Sequence, residues 1–435
     1  MAPFLKFFLG GGAAFVSESQ TSLSTDDDED QRTNLAEVLS LLGGSPTDLL
    51  RLDSTAEGVR GVYLNEDVTK DAVLLEMPLS SCLRDDGDPP SWLEDQQEND
   101  ANTGYNALQI QDWVTRLAAQ LLQLQSRCED DAEGHSNEDE SLMPYHEGIR
   151  AWLKLLPDSL RACLPVYWSE EVVKSTDCRP LELAVDAAFF ARAAPLSDLA
   201  ASGKSQAQVE RALDLVQTRA CRCATWEETN FEGVAPTPAV VEHSDLRVMV
   251  PIFDMINHSY EPNAEFFRKG NSMIVRARQD LAVDQEVLIS YGTTSTAPIW
   301  RCLFSYGFVP SVDEVYQHNV VEIVLDDYYR VEVSPTEIPF ELVQYQAQQL
   351  GLTGENAEDV EFTPEIGKAI VEQLRDCAKQ SELNQGNDNN PKSLDSIPQE
   401  TMELINALKE SRRRTLLACA GGLQEYLDNE STTEQ

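Results

Sequence analysis

Val250-Pro251-Ile252-Phe253-Asp254-Met255-Ile256-Asn257-His258-Ser259 is the stretch whose reading decides the fold, together with three segments at set distances after it. These are Glu261-Pro262-Asn263-Ala264, then Glu286-Val287-Leu288-Ile289-Ser290-Tyr291-Gly292, then Leu303-Phe304-Ser305-Tyr306-Gly307-Phe308-Val309. Each piece alone is common. Asn257-His258-Ser259 is also a glycosylation sequon, and Tyr-Gly pairs end many strands. A sequon inside an apolar run is out of reach of glycosylation, and Asn429-Glu430-Ser431 carries no information without a secretory route. In this order and at these spacings, the set is specific.

Around this stretch, strand-like patterns cover Arg247 to Ile252, Glu265 to Arg268, Ser272 to Arg278 and Glu286 to Tyr291. Upstream, Gly58 to Tyr63 and Ala72 to Pro78 read as two short strands of one hairpin-like unit. Residues 90–240 between these β parts read as mostly helical. Ile110, Trp113, Val114, Leu117, Leu121 and Leu124 recur at helical spacing over 107–127, and further helical patterns cover 146–155, 169–174, 180–194 and 206–224. Neither β part suffices for a stable domain, so the economical reading is one β domain with a helical insertion of roughly 150 residues. After Pro310 a strand-like Val320 to Val333 precedes a second helical block, Pro339 to Leu427, broken by an Asn/Gly/Pro-rich linker at 383–397. Arg412-Arg413-Arg414 within it reads as a solvated helix face. Leu35 begins a short helical pattern that stops at Gly43-Gly44.

The chain has 435 residues and a formal net charge of −42, with a pI near 4.3. Such a surface repels nucleic acid and anionic membranes, and it suits a basic peptide substrate as well as simple solubility. The nine cysteines are odd in number and scattered in apolar runs, which reads as reduced thiols rather than a disulfide framework. Cys221-x-Cys223 falls in an apparent helix with no second pair at zinc spacing, so no metal is expected. The apolar run near the N-terminus is too short for a bilayer, which takes about 20 residues, but has some character of a targeting segment.

The combination resembles the SET-domain protein methyltransferases, in particular the branch of the plant Rubisco lysine methyltransferase and the actin histidine methyltransferase. Gly58-Val59-Arg60-Gly61-Val62 looks like that branch's N-terminal glycine segment. Met143-Pro144-Tyr145, Leu156-Pro157 and Trp168-Ser169 look like landmarks of its helical insert. Val216-Gln217-Thr218-Arg219-Ala220 is similar to the segment before its core motif. The resemblance implies an α+β fold in three parts: a disordered or targeting segment over 1–34, a SET domain over 35–310 with its insertion at about 90–240, and a helical substrate-recognition domain over 311–435.

The same resemblance implies an S-adenosylmethionine (AdoMet)-dependent protein-lysine N-methyltransferase acting on a non-histone protein. The alternatives are protein-histidine methylation, or an inactive SET scaffold that binds a partner peptide. A lysine-containing protein substrate is expected, with no nucleic-acid or membrane partner, a monomeric state, and the cytoplasm or nucleus as compartment unless the N-terminus targets an organelle. Tyr291 is implied as the catalytic tyrosine. Gly58, Val59, Arg60, Arg219, Asn257, His258 and Tyr291 are implied around the cofactor, and Arg219, Cys221, Asp254, Tyr306 and Phe308 around the substrate. Arg219 has two readings, a bidentate partner for the cofactor's carboxylate or a partner for Asp254 within the fold.

These residue types suit methyl transfer. An amine attacking a sulfonium-bound methyl in line must first be neutral, and a narrow aromatic channel beside a cation disfavours ammonium. Positioning then carries most of the acceleration, with weak C–H···O contacts from a tyrosine hydroxyl or carbonyls at about 0.5–1 kcal/mol each. The sequence departs from the family at Lys70-Asp71 and Asp284-Gln285, where glycine is usual. Asp tolerates left-handed turns, so these departures leave the fold intact. Ser295-Thr296-Ala297 and Cys221 are further departures, the latter in the acceptor pocket.

Overall fold

The computed structural model describes residues 5–6, 33–54, 59–87, 113–132, 143–223, 246–291, 298–310, 319–325, 330–352, 360–383 and 397–433. The chain divides into two compact units interleaved in sequence, one of Ser22–Leu160 and Phe189–Tyr291, the other of Met1–Thr21, Arg161–Ala188 and Gly292–Gln435. Helices and small sheets are both present, so the expected α+β class is the observed one.

The first unit is a set of small sheets packed on helices. Arg60–Leu64 and Val73–Pro78 do not form the expected hairpin with each other. Arg60–Leu64 pairs with Leu50–Ser54, which also pairs with Thr33–Asn34. Val73–Pro78 instead pairs with Ser272–Ala277, whose other edge carries Ala264–Lys269. The strand Leu50–Ser54 escapes sequence reading because Arg51 and Asp53 interrupt its apolar pattern. Arg51 is nonetheless buried, since its guanidinium donates to Leu64 O at 2.5 Å and to Asp284 Oδ1 at 2.7 Å. Buried charge is tolerated where its donors are satisfied.

Both unusual turns adopt the geometry anticipated for aspartate: Asp71 has φ of 68° and Asp284 of 63°. The expected strand over 286–291 shortens to Leu288–Ile289, parallel to Asn257–His258 with Leu288 opposite Asn257 and Ile289 opposite His258. The first strand of the core motif likewise shortens to Arg247–Met249.

The helix over 206–224 is also corrected. Ser205 and Gln208 form a capping box that starts Gln206–Arg219, and Ala220 then turns to an extended ψ of 136°. Cys221-Arg222 is therefore a strand, paired with Arg247-Val248, and not a helical turn. Its sheet places Arg247–Met249 centrally, with Leu83–Arg84 on the far edge. Tertiary pairing overrides local helical periodicity here.

The expected helix over 107–127 is observed as Trp113–Ala132, and residues 107–112 lie outside the described residues. Leu117, Ala118, Leu121 and Leu122 bury its apolar stripe in the unit's main core, with Val62, Leu64, Leu74, Met77, Val248 and Ile289.

The helical pattern over 180–194 divides into Arg179–Ala191, which begins in the second unit, and Ala193–Leu199 in the first. Pro195 lacks the N–H that one continuous helix would bond to Ala191, which explains the break. In the second unit, Val321–Val324 and Arg330–Val333 form an antiparallel pair, and Leu5–Lys6 pairs with Glu337–Ile338. Phe340–Gln349, Pro364–Leu383 and Gln399–Thr433 make the helical block. Ile366, Ile370, Leu374, Leu416, Leu423 and Leu427 bury their faces in this unit's core.

The basic triplet is not one solvated face. Arg412 donates to the carbonyl oxygens of Asp177 and Glu322, whereas Arg413 and Arg414 pair with Glu410. One residue in three on a helix turns inward, and here that residue is an arginine with carbonyls to meet it.

Candidate active site

The site is built around the turn that follows Arg247–Met249. Ile252, fully buried, has φ of 70° and ψ of −46°, a strained conformation for a β-branched residue. That turn drives Phe253–Met255 into a short 3-10 segment and brings Asp254 inward. Asp254 Oδ1 accepts a hydrogen bond from Trp152 Nε1 at 3.2 Å. Arg219 Nη1 donates to the Asp254 carbonyl oxygen at 2.6 Å and lies 4.0 Å from Oδ2. Burial pushes the Asp254 carboxyl up to about 6, against the opposing pull of Arg219, the Trp152 hydrogen bond and Arg60. Asp254 Oδ2 and Arg219 Nε are buried without hydrogen-bond partners among the described residues. Arg60 adds a second guanidinium, whose pKa is lowered by burial and then by Arg219. Two cations therefore face one carboxylate, and a further anion suits the place.

Asn257 and His258 come directly after this turn. Asn257 Nδ2 donates to Arg60 O at 2.9 Å and to Glu286 Oε1 at 2.7 Å. Asn263 holds the neighbouring strand, with Nδ2 donating to Glu286 O at 2.8 Å and Oδ1 accepting from Leu288 N at 2.8 Å. Tyr291 follows that strand by two residues. Its hydroxyl donates to Ile256 O at 2.6 Å, and its backbone N–H donates to His258 Nδ1 at 3.1 Å. With its proton committed to Ile256, the phenol oxygen has acceptor lone pairs only. The His258 ring stands 5.2 Å from the Tyr291 ring. Burial lowers the His258 pKa, opposed by a hydrogen bond at Ile289, so the imidazole is neutral near pH 7. It serves as an acceptor that seats Tyr291.

The structure thus gathers Arg60, Arg219, Asp254, Asn257, His258 and Tyr291 around one turn through bonds or charge interactions. Arg219 is a partner of the Asp254 peptide, the second of its two readings, and keeps Nε for another group. Val59 is exposed at the start of Arg60–Leu64, and Gly58 lies outside the described residues. Cys221 packs against the unit's core, and burial, followed by Cys223 and Cys82, raises its pKa so that the thiol stays protonated.

Tyr306 and Phe308 belong to the other unit, with rings 6.2 Å apart at 35°. Between them Gly307 closes the helix Ile299–Tyr306 with φ of 78°, and an added Cβ would lie 2.9 Å from Cys163 Cβ. Buried Asn319 accepts from Ile299 N at 3.1 Å and donates to Thr415 Oγ1 at 2.9 Å, which ties the start of that helix to Gln399–Thr433.

Trp152 and Asn319 are absent from the site read in the sequence, and Asn263 and Glu286 appear there only as part of the motif. Asn263 and Glu286 stand within the core motifs, so position alone signals them. Trp152 and Asn319 lie far along the chain, and no local pattern marks them.

The SET domain family profile matches residues 59–292, more than half of the chain. SET domain-containing protein 8 of Schizosaccharomyces pombe is 30% identical over 80 residues, a stretch that spans only 18% of either protein. Among solved structures, the SET domain of LSMT bound to lysine and AdoHcy aligns with a TM-score of 0.51 at 12% identity, over 90% of this chain and 91% of that one. Rubisco LSMT bound to AdoMet aligns with a TM-score of 0.51 at 14% identity, over 90% and 92%. At such identities the likeness concerns the fold. The profile match, which takes in the turn and strands that carry Asp254, Asn257 and Tyr291, settles the lineage: the chain belongs to the SET-domain family.

Proposed function

We propose that the chain is an AdoMet-dependent protein-lysine N-methyltransferase acting on a non-histone protein. The observation that carries this reading is the Tyr291 hydroxyl, whose proton is held by Ile256 O at 2.6 Å so that its oxygen keeps the character of an acceptor. Such an oxygen polarises and orients a methyl through C–H···O contacts.

The residues present fit the cofactor. Arg219 keeps a buried, unpartnered Nε, and Arg60 leaves an excess of positive charge, a place for a carboxylate. Asn257, with both amide hydrogens spent, offers Oδ1 to an ammonium. When bound, AdoMet supplies the electrophilic methyl on its sulfonium. Within this reading Asp254 orients the substrate side, and Cys221 lines the acceptor pocket. A neutral thiol at 221 removes no proton but shapes the wall. The ligands of the two LSMT structures, AdoMet in one and lysine with AdoHcy in the other, are the kinds of molecule this reading assigns here.

The test is methyl transfer from labelled AdoMet into lysate proteins, with mass spectrometry of the modified residue. Labelled lysine on a non-histone protein is the expected result. Labelled histidine would replace lysine as the acceptor, and no cofactor binding at millimolar AdoMet would sink the reading.

A further inference from the structure

Glu286 stands two residues before the strand Leu288–Ile289, and the proposed methyl transfer by itself gives it no role. Its surroundings are unusually constrained. Asn263 fixes its backbone oxygen at 2.8 Å, and its carboxylate accepts from Asn257 Nδ2 at 2.7 Å. Its backbone is bridged to Tyr63, and the charge of its carboxylate raises the pKa of the nearby Tyr63 phenol, after the larger effect of burial. Gly61 leaves the room for this: an added Cβ there would lie 2.2 Å from Glu286 Oε1, 2.9 Å from its Cδ and 3.0 Å from Asn257 Nδ2.

The chemistry of the pair explains why a carboxylate stands here. A primary amide has one accepting and one donating end, and its two orientations are nearly equal in shape. A carboxylate only accepts, so it selects the orientation that sends the Asn257 nitrogen toward residue 286. The second amide hydrogen meets Arg60 O at 2.9 Å. Both donors are then spent, and Oδ1 is the end left to meet a ligand.

We propose that Glu286 is a positioning residue that sets the facing of the Asn257 amide and thereby the acceptor offered to the cofactor's ammonium. The ligand half of this proposal rests on the AdoMet-dependent reading. The orientation half stands on the ligand-free protein.

Glu286→Gln keeps the volume but can present a donor, which lets the Asn257 amide turn over. Its AdoMet Kd by calorimetry is expected to rise about 10- to 100-fold, the scale of one misplaced buried acceptor. The kcat at saturating AdoMet is expected to stay within about twofold. In the ligand-free protein, the Asn257 side-chain amide resonances should shift and exchange faster with solvent than in wild type. Tyr63→Phe, which loosens the carboxylate but leaves it acceptor-only, should raise Kd by less than Glu286→Gln. Unchanged Asn257 amide resonances in Glu286→Gln overturn the proposal, as does a loss of thermal stability and kcat at constant Kd. If the wild type fails to bind AdoMet, the cofactor reading falls, and the amide resonances still decide what orients Asn257.

Discussion

The two units hold their key tyrosines by different means. Tyr291 is fixed at both ends of its own residue, hydroxyl to Ile256 O and backbone N–H to His258 Nδ1. Tyr306 is carried by a helix whose first N–H is met by Asn319 and whose last turn is closed by Gly307. A phenol held by its own hydrogen bonds is placed to within hydrogen-bond tolerance. One carried on a helix inherits its position from packing and from buried polar ties elsewhere. Chemistry that needs one oxygen in one place is better served by the first arrangement, and a channel wall by the second.

The sharpest way to break this contrast is Tyr291→Phe. Loss of one preorganised dipole is expected to lower kcat about 10²- to 10³-fold, roughly 3–4 kcal/mol, with little change in AdoMet Kd. Single-turnover kinetics with calorimetry checks it, and an unchanged kcat would remove Tyr291 from the chemistry. Asn319→Ala should act on the other unit through stability. It leaves the buried Ile299 N–H without its side-chain acceptor and removes the donor to Thr415 Oγ1, which keeps its own bond to Ser411 O, at a cost of about 2 kcal/mol, read as a lowered denaturation midpoint. A loss of kcat at constant stability would contradict the packing account of Tyr306.

A third test uses pH. The Asp254 carboxyl, at about 6 in the fold, lies above its ordinary value of 3.8. The folded state therefore binds the extra proton between those values, and stability falls as pH rises through roughly pH 4 to 6. Asp254→Asn removes this penalty while keeping an acceptor for Trp152. Its stability relative to wild type should improve from pH 4 to pH 8 by about 2 kcal/mol, measured by denaturant melts at both pH values. A pH-independent difference would refute the buried-carboxylate account. The smallest effect concerns the two left-handed turns. Asp71→Gly should be near neutral, and Asp284→Gly less favourable by about 0.5–1 kcal/mol. Only Asp284 accepts from Arg51, at 2.7 Å. Equal effects would show that this pair contributes nothing.

The α+β class and the motif order were legible because they rest on local pattern and on residue types with narrow uses. The aspartate turns at 71 and 284 were legible for the same reason. Pairing partners were not. Arg60–Leu64 and Val73–Pro78 looked like a hairpin because they are sequence neighbours, and each found its partner in another strand. Cys221 looked helical because its flanks follow a helical period, and it became a strand once Arg247–Met249 lay beside it.

From the sequence alone came the family's residues, in order, along with a formal charge of −42 and the expectation drawn from it that anionic partners are repelled. Only the tertiary structure decided which of those residues share a bond. It placed Arg219 on the Asp254 peptide, brought Trp152 to the Asp254 carboxylate, and set Glu286 against the Asn257 amide. The reason is physical. Residue type limits what a side chain can donate or accept, whereas partners a hundred residues apart meet through strand pairing and core packing, which no local window contains.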